Sequence, residues 1–282
     1  MQLTGKTVVL TGAAGGIGQC LARQLADAGA RLVLVGRDPA ALEKLRIQLA
    51  PVSRAHQAFI ADLRQQKARK ALADACGELQ VDILINNAGT GEFNWLEDSS
   101  SEAIADLLDL NLNVPIQLTR LFLPVLKQRP EAAIVNIGSA LGSIGYPGYS
   151  VYSASKFGLR GFSEALRREL GDTAIRVMHL APRATRTSLN SDRVVAMNDA
   201  MGVAMDSPDF VASILVARIR ADRWSVRVLG WPERLYAWIN AVAPGMTDSS
   251  IRKQLARIRG FAQDNRRQDG REAGISHTGE TL

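Results

Sequence analysis

The chain has 282 residues, of which 46% are hydrophobic and 22% are charged, and its formal net charge is +6. These proportions exclude a disordered protein, and no run of residues reaches the roughly 18 uninterrupted apolar positions that a membrane-spanning helix needs. The positive charge would suit an acidic or phosphorylated partner. Without interleaved aromatic residues or a recognisable motif, however, it does not indicate a nucleic-acid-binding protein.

The cysteines and the N-terminus indicate the compartment of the protein. Cys20 and Cys76 are too few and too far apart for a disulfide framework or a metal site, which fits a reducing compartment. The first residues lead directly into an apolar, strand-like run, without the basic segment, hydrophobic segment and cleavage site of a signal peptide. We therefore expect a cytoplasmic protein without a bound metal.

Short β-branched runs alternate with longer amphipathic runs over most of the chain. The predicted strands are 6–12, 31–36, 57–62, 82–89, 132–139, 175–182 and 224–230. The predicted helices are 17–28, 40–49, 65–76, 102–127, 150–170 and 207–219. The strands are too continuously apolar for a sheet with one solvent-exposed face. Their alternation with helices predicts a doubly wound parallel sheet in one α/β domain over residues 1–230.

The turn between the first strand and the first helix is rich in glycine. It reads TGAAGGIG (11–18) and places Gly12, Gly16 and Gly18 in the spacing G-x-x-x-G-x-G, a variant of the dinucleotide fingerprint. Glycines let the backbone approach a pyrophosphate, and the N–H groups at the helix N-terminus can then bind that anion. The turn therefore predicts a nucleotide-binding, Rossmann-like fold.

The end of the second strand indicates which nucleotide binds. An NAD site has a carboxylate about 20 residues beyond the glycines to hold the ribose 2′-hydroxyl, whereas this chain has Gly36 followed by Arg37. A guanidinium binds a 2′-phosphate bidentately. Asp38 comes next, but with Pro39 after it, it fits the N-cap of the following helix. We therefore expect NADP(H) as the cofactor.

The segment YSVYSASK (149–156) contains two tyrosines. Tyr152 and Lys156 are four residues apart and therefore share one face of a predicted helix, whereas Tyr149 has Ser153 at the same offset. An ammonium near a phenol favours the phenolate and lowers its pKa. Tyr152 is therefore the candidate for acid–base chemistry.

Two amphipathic segments follow the last predicted strand, in residues 231–262. In the first, an apolar face is formed by Leu235, Trp238, Ile239 and Val242. In the second, an apolar face is formed by Ile251, Leu255 and Ile258, and most of the basic residues lie elsewhere. The chain is polar from about Gln263, so we expect a disordered tail over residues 263–282.

Five segments, in this order along the chain, resemble motifs of the short-chain dehydrogenase/reductase family over roughly residues 4–230. They are TGAAGGIG (11–18), NNAG (86–89), LDLNL (108–112), IVNIGS (134–139) and YSASK (152–156). Ser139 also lies 13 residues before Tyr152, a spacing typical of the family. The resemblance implies an NADP(H)-dependent oxidoreductase that interconverts a carbonyl and a secondary alcohol.

The resemblance also implies a role for each matched residue. Tyr152 would be the general acid in reduction and the base in oxidation, Lys156 would tune it and bind the nicotinamide ribose, and Ser139 would donate to the substrate oxygen. Asn111 would hold a water that links Lys156 to solvent. The implied cofactor-binding residues are Gly12, Gly16, Ile17, Gly18, Arg37, Asp62, Leu63, Asn87, Ala88, Gly89, Tyr152, Lys156, Pro182 and Thr187.

The match to the family breaks down after the sixth strand. The Pro-Gly pair usual in the family is Pro-Arg here, so Arg183 either points into the cleft or turns outward to a surface carboxylate, and we favour the outward orientation. Residues 188–222 would cover the substrate. Their methionines, Met197, Met201 and Met205, form either plain core or an adaptable apolar wall. Few polar groups are present here, which favours an apolar substrate.

The segment 231–262 stands where many relatives have a strand and a Gly-rich end at a tetramer interface. We therefore expect a homodimer formed through the helices at 102–127 and 150–170. We expect the extra helices to pack on the protein, and association with a membrane surface is the less favoured alternative. One alternative is that the protein is a 3-oxoacyl (carrier protein or CoA) reductase. The other is that it is not an enzyme but an NADP(H)-binding regulator or scaffold.

Overall fold

The computed structural model describes residues 1–53 and 55–275, and a parallel β-sheet lies at its centre. Its strands are β1 (Thr7–Thr11), β2 (Arg31–Gly36), β3 (Gln57–Ile60), β4 (Ile83–Asn86), β5 (Ala132–Ile137), β6 (Ile175–Ala181) and β7 (Val226–Val228). Within the described residues these seven strands have the order β3-β2-β1-β4-β5-β6-β7, and every neighbouring pair is parallel.

Helices connect the strands and cover both faces of the sheet. They are α1 (Gly16–Asp27), α2 (Pro39–Leu49), α3 (Gln66–Cys76), α4 (Ser101–Leu108), α5 (Val114–Lys127), α6 (Ser150–Glu169), α7 (Asp192–Ala200), α8 (Pro208–Arg220), α9 (Trp231–Val242) and α10 (Pro244–Ile275). The predicted caps are confirmed, because Asp38 accepts from the Ala41 N–H at 3.0 Å and Ser207 from the Phe210 N–H at 3.1 Å. The predicted doubly wound α/β fold is confirmed.

Two apolar layers, one on each face of the sheet, form the core. In β1, Val8 and Leu10 face the layer that contains α1 and α8, whereas Val9 faces the layer that contains α3, α5 and α6. Side chains alternate between faces along a strand, so covering both faces requires the continuously apolar strands of this sequence. The two free thiols belong to these layers, since Cys20 is buried in the first and Cys76 in the second.

The strand order places a crevice at one edge of the sheet. The direction in which successive strands are added to the sheet reverses between β1 and β4. In sheets of this kind, ligands bind at such a reversal, beyond the carboxyl ends of the strands. The segments that follow β1, β4 and β5 meet at this edge, and they contain the glycine-rich turn, the NNAG segment and Ser139.

The C-terminal helices differ from the prediction in two respects. None of the α9 residues is buried, because the apolar side that the sequence predicts to pack on the protein faces outward. Helix α10 continues to Ile275, whereas a disordered tail is predicted from residue 263, and residues 276–282 of that tail lie outside the described residues. In the described part of the chain, no helix is long and apolar enough to cross a membrane.

Candidate active site

The glycine-rich turn after β1 forms a narrow cradle. Gly12 has φ +63°, and a Cβ there would lie 2.8 Å from the Ala88 Cα atom. A Cβ on Gly16 would lie 2.7 Å from Thr187 Cγ2, and one on Gly18 would collide with the Gly12 carbonyl oxygen. Any side chain at these positions would fill the cradle or push its walls apart, so all three glycines are required by its shape.

Thr11, which the sequence did not single out, holds the two sides of the cradle together. Its Oγ1 accepts hydrogen bonds from the backbone N–H groups of Asn87 and Ala88 at 2.9 and 3.0 Å. The Asn87 side-chain amide donates in return to the carbonyl oxygens of Thr11 and Gly12 at 3.0 and 3.1 Å. These bonds hold the ends of β1 and β4 at a fixed separation.

The cradle fits a dinucleotide. Helix α1 begins at Gly16 with Gly15 as its N-cap, and no side chain caps this end. The backbone N–H groups of the first turn are thus free to bind an anion, which the helix dipole also favours. Ile17 is partly buried against the core, and Gly89 lies near the Lys156 ammonium, since a Cβ on Gly89 would be 3.6 Å from Lys156 Nζ. These features suit a pyrophosphate joined to a nicotinamide riboside.

The charged groups beside the cradle lie at the ends of β2 and β3. Arg37 is exposed just beyond β2, and Leu63 is buried next to Asp62. The guanidinium of Arg64 donates to both Asp62 carboxylate oxygens at 3.1 and 2.8 Å and to Asp106 at 2.5 Å. The hydrogen bonds from Arg64 lower the pKa of Asp62, and the charge of Arg37 lowers it further. Asp62 is therefore an ionised but already neutralised carboxylate.

Ser139, Tyr152 and Lys156 come together at the carboxyl end of β5. The Ser139 hydroxyl hydrogen-bonds to Tyr152, and the Lys156 Nζ atom lies 5.7 Å from the centroid of the Tyr152 ring. Burial raises the pKa of Tyr152, and the bond with Ser139 opposes this effect. The direction differs from the lowered pKa that the sequence predicts, because the loss of hydration of the phenolate is the larger effect.

Lys156 is buried beneath these groups. Its ammonium donates to the Ile137 carbonyl oxygen at 3.2 Å, and burial lowers its pKa to about 8. At neutral pH most Lys156 side chains therefore still carry the charge, but a proton can leave this nitrogen far more easily than one in water. The Lys156 side chain can therefore pass on a proton as well as place a positive charge near Tyr152.

Asn111 lies in a single π-helical turn, Asp109–Asn113, between α4 and α5. Its side chain is fully buried, and its amide exchanges two 2.8 Å hydrogen bonds with the backbone of Thr90. The same amide donates to Ser155 Oγ at 3.3 Å. Turns of this kind are rare and often mark functional sites. Asn111 thus links the NNAG segment to the helix that contains Tyr152 and Lys156.

Arg183 turns away from the cleft and binds two carboxylates. Its guanidinium donates to Asp206 at 2.6 Å and lies 3.7 Å from Glu233. The favoured outward orientation agrees with this geometry, but the carboxylates are largely buried rather than on the surface. The neighbouring Pro182 is buried, and its carbonyl oxygen accepts from the Ala140 N–H at 2.8 Å.

An apolar cluster lies beside Tyr152. The Tyr149 ring contacts both the Tyr152 ring, with centroids 6.0 Å apart, and the Phe93 ring, with centroids 5.1 Å apart. The other members of the cluster are Trp95, Tyr146, Val194, Met197, Met201, Ile258, Phe261 and Ala262. Met205 is not among them, since α7 ends at Ala200 and Gly202 turns the chain with φ +66°.

The family comparison agrees with this geometry. A family model described as short chain dehydrogenase matches residues 6–197. The ketoacyl reductase HetN of Nostoc sp. is 34% identical over 221 residues, which are 77% of this chain and 76% of that protein.

Two solved structures that resemble this chain contain a bound nicotinamide cofactor. A short-chain dehydrogenase from Sphingobium yanoikuyae in complex with NADPH has a TM-score of 0.73 and 30% identity, covering 86% of this chain and 96% of that chain. A short chain dehydrogenase/reductase from Burkholderia phymatum in complex with NAD has a TM-score of 0.78 at 24% identity, covering 88% and 96%. At this identity, the similarity to the Burkholderia phymatum structure shows only a shared fold.

Proposed function

The chain belongs to the short-chain dehydrogenase/reductase family, and from this premise we propose that it is an NADP(H)-dependent oxidoreductase that interconverts a carbonyl and a secondary alcohol. The observation that supports this proposal most directly is the convergence of Ser139, Tyr152 and Lys156 beside the glycine cradle. A non-catalytic regulator or scaffold would not need these three groups to meet.

In this proposal the protein supplies position and protons. The nicotinamide cofactor, when bound, supplies the hydride for reduction or accepts it in oxidation. In reduction, the Tyr152 hydroxyl gives its proton to the substrate oxygen while the Ser139 hydroxyl donates a hydrogen bond to the same oxygen. In oxidation, Tyr152 accepts the proton. The buried ammonium of Lys156 favours the phenolate that reduction leaves behind.

Asn111 serves this exchange of protons indirectly. Its amide is bonded to Thr90 and Ser155, so it holds the segment beside Gly89 against the helix of Lys156. We propose that a water held near Asn111 links Lys156 to solvent, so that the proton lost from Tyr152 is replaced.

The preference for NADP(H) rests on the charges at the adenosine end. Arg37 stands where an NAD site has a carboxylate, and its guanidinium suits a 2′-phosphate. Arg64 neutralises the nearby Asp62 carboxylate, which therefore does not repel such a phosphate. The related dehydrogenase from Sphingobium yanoikuyae, solved with NADPH, supports this proposal, whereas the structure from Burkholderia phymatum, which shares the fold, contains NAD.

The proposed substrate is apolar because the cluster around Tyr149 and Phe93 offers rings and methionines beside the reacting groups. A 3-oxoacyl reductase is the second candidate. It is favoured by the likeness to HetN, a ketoacyl reductase, and by the net charge of +6, which would suit an acidic carrier.

Titration of the protein with NADPH and with NADH tests the cofactor assignment. We expect Arg37→Ala to weaken NADPH binding by about 10- to 100-fold, since hydrogen bonds to charged groups are worth about 1.5–3 kcal/mol, and to leave NADH binding nearly unchanged. Arg46→Ala is the matched control, because Arg46 is a partly exposed arginine in the last turn of α2 and is paired with Glu43. Equal losses for both cofactors in Arg37→Ala would contradict the proposed phosphate contact.

Turnover with NADPH tests the substrate class. We expect the wild type to reduce apolar ketones faster than small polar ones, measured by the loss of NADPH absorbance. Faster turnover of a 3-oxoacyl-CoA than of any simple ketone would favour the second candidate, and tight NADPH binding without turnover of either would favour a regulator.

A further inference from the structure

Helix α9 presents its apolar side to solvent. Residues at three- and four-residue spacing share one side of a helix, and on this helix they are Trp231, Leu235, Trp238 and Val242. Trp231 and Trp238 are 71% and 61% exposed. Met246, in the first turn of α10, is also exposed. Large apolar side chains are thus concentrated where a helix on a protein surface normally has polar ones.

The opposite, more polar side of α9 fixes this orientation. Glu233 binds Arg183, which also binds Asp206, and the Asn240 side-chain amide donates to the Ser143 carbonyl oxygen at 3.0 Å. These contacts lie near both ends of the helix and attach it to the loops that follow β5 and β6. The outward position of the tryptophans therefore follows from specific polar contacts of the helix.

Basic residues are concentrated in the same two helices. In residues 231–262 they are Arg234, Arg252, Lys253, Arg257 and Arg259, all exposed. The acidic residues of this stretch are Glu233, which is paired with Arg183, and Asp248. On α10, Lys253 lies nearly opposite the buried Ile258, and Arg257 lies about a quarter turn from it. The two helices together combine exposed tryptophans with an excess of positive charge.

We propose that α9 and the first turns of α10 bind the surface of an anionic lipid bilayer. Tryptophan is favoured at the boundary between headgroups and acyl chains, and exposed arginine and lysine attract anionic lipids. The helices would lie on the bilayer, since no described helix is long and apolar enough to cross it. Because Asn240 is bonded to Ser143, four residues after Ser139, binding would hold the proposed active site close to the lipid.

Charge favours a bilayer over a second copy of the chain as the occupant of this surface. A twofold interface brings the same patch of each copy face to face. Apart from Arg259, whose guanidinium stacks on the Trp95 ring, the exposed basic residues of these helices would then add positive charge to both sides of the interface, and like charges across an interface are unfavourable. An anionic lipid surface complements the same residues.

Co-sedimentation of the full chain with lipid vesicles tests the proposal. We expect the wild type to sediment with vesicles of phosphatidylcholine and phosphatidylserine, less with phosphatidylcholine alone, and less at high salt because salt screens the charges. Binding should shift the tryptophan fluorescence to shorter wavelength. The double variant Trp231→Ser/Trp238→Ser should bind at least about tenfold more weakly, since burying even one large apolar side chain is worth about a factor of ten.

Ile47→Ser is the matched control, because Ile47 is 58% exposed on the remote helix α2, and it should bind like the wild type. Circular dichroism and the melting temperature verify that each variant folds. Undiminished vesicle binding by the double variant would overturn the proposal. Absence of wild-type binding would also overturn it. If the wild type and Ile47→Ser were dimers and the double variant were a monomer, the surface would be assigned to a second copy of the chain instead.

Discussion

Tyr149 and Tyr152 occupy different surroundings although they are three residues apart. Tyr152 is bonded to Ser139 and lies above the Lys156 ammonium, whereas Tyr149 packs its ring against Phe93 and Tyr152. Burial raises the pKa of both phenols. Arg193 is the cation near the Tyr149 phenol, but of the two tyrosines only Tyr152 combines the bond to Ser139 with the Lys156 ammonium, so we assign the proposed proton transfer to Tyr152.

We predict that Tyr152→Phe lowers kcat/KM by about 10²- to 10⁴-fold, the usual contribution of a general acid, and leaves NADPH binding within a few-fold of the wild type. Steady-state kinetics and fluorescence titration measure the two effects. Tyr149→Phe is the matched control and should keep most of the turnover. Full activity of Tyr152→Phe would remove this residue from the proposed mechanism.

Lys156 makes stability depend on pH in alkaline solution. Its pKa falls from 10.5 to about 8 on folding, so between these values the unfolded chain binds more protons than the folded one. Stability therefore rises with pH in this window. The cost of the buried charge is fully present below about 8 and is gone above about 10.5.

We predict that, relative to Lys156→Met, the free energy of unfolding of the wild type increases on the order of 3 kcal/mol between these two pH values. Urea unfolding of both proteins over this range measures the difference, and the variant cancels the other groups that titrate there. Parallel curves for the two proteins would mean that Lys156 keeps its ordinary pKa.

At the scale of elements, Arg183 joins three separate parts of the chain. It follows β6, binds Asp206 before α8, and reaches Glu233 in the first turn of α9. The Asp206 side chain is nearly buried, so removing the guanidinium would leave its charge without compensation. The C-terminal extension is thus attached to the loop that contains Thr187, which lies over the glycine cradle.

We predict that Arg183→Ala lowers the free energy of unfolding by about 1.5–3 kcal/mol, because hydrogen bonds to charged groups are worth that much. It should also increase hydrogen exchange of the α9 backbone. Denaturant unfolding and exchange mass spectrometry measure the two effects. Arg186→Ala, at an exposed neighbouring arginine, is the control and should change neither. A change in stability without faster exchange in α9 would contradict the attachment of α9 through Arg183.

Local sequence patterns predict the strands, the glycine turn and the spacing of Tyr152 and Lys156, because each depends on residues within one turn or one strand. Contacts between distant parts of the chain could not be predicted in this way. The partners of Arg183 lie 23 and 50 residues further along the chain. An amphipathic pattern shows that α9 has an apolar face, but whether that face meets protein or solvent depends on where Glu233 and Asn240 are bound.

The π-helical turn at Asn111 was also beyond prediction. Residues 102–127 have one continuous helical pattern, and the structure inserts Asp109–Asn113 within it. The extra width of the turn accompanies the bonds between Asn111 and Thr90, which belong to tertiary structure. A basic residue two positions after Asp62 was a visible signal for Arg64, because a carboxylate and a guanidinium so close together readily pair.

At the scale of the whole molecule, we predict a homodimer formed through the helices of residues 102–127, which are α4 and α5, and of residues 150–170, which are α6. Phe157 on α6 is 41% exposed, and the small residues Ala154 and Gly161 lie one turn away on the same side. We expect Phe157→Glu to yield monomers in sedimentation velocity, because burying an unpaired carboxylate in an interface is unfavourable. Phe210→Glu, at a residue 48% exposed on α8, is the control and should remain dimeric. An unchanged dimer in Phe157→Glu would exclude this interface.

The burial of both thiols makes the chain suited to spectroscopic labelling. Cys20 lies inside the core, and Cys76, whose pKa burial raises to about 11, has almost no thiolate at neutral pH. A single new cysteine on the surface would therefore react with a maleimide dye or a nitroxide ahead of either native thiol. Tyr236→Cys, at an α9 residue that is 57% exposed, leaves both tryptophans in place. Labelled in this way, it would report the polarity and mobility of α9 in solution and on lipid, without removal of the natural cysteines.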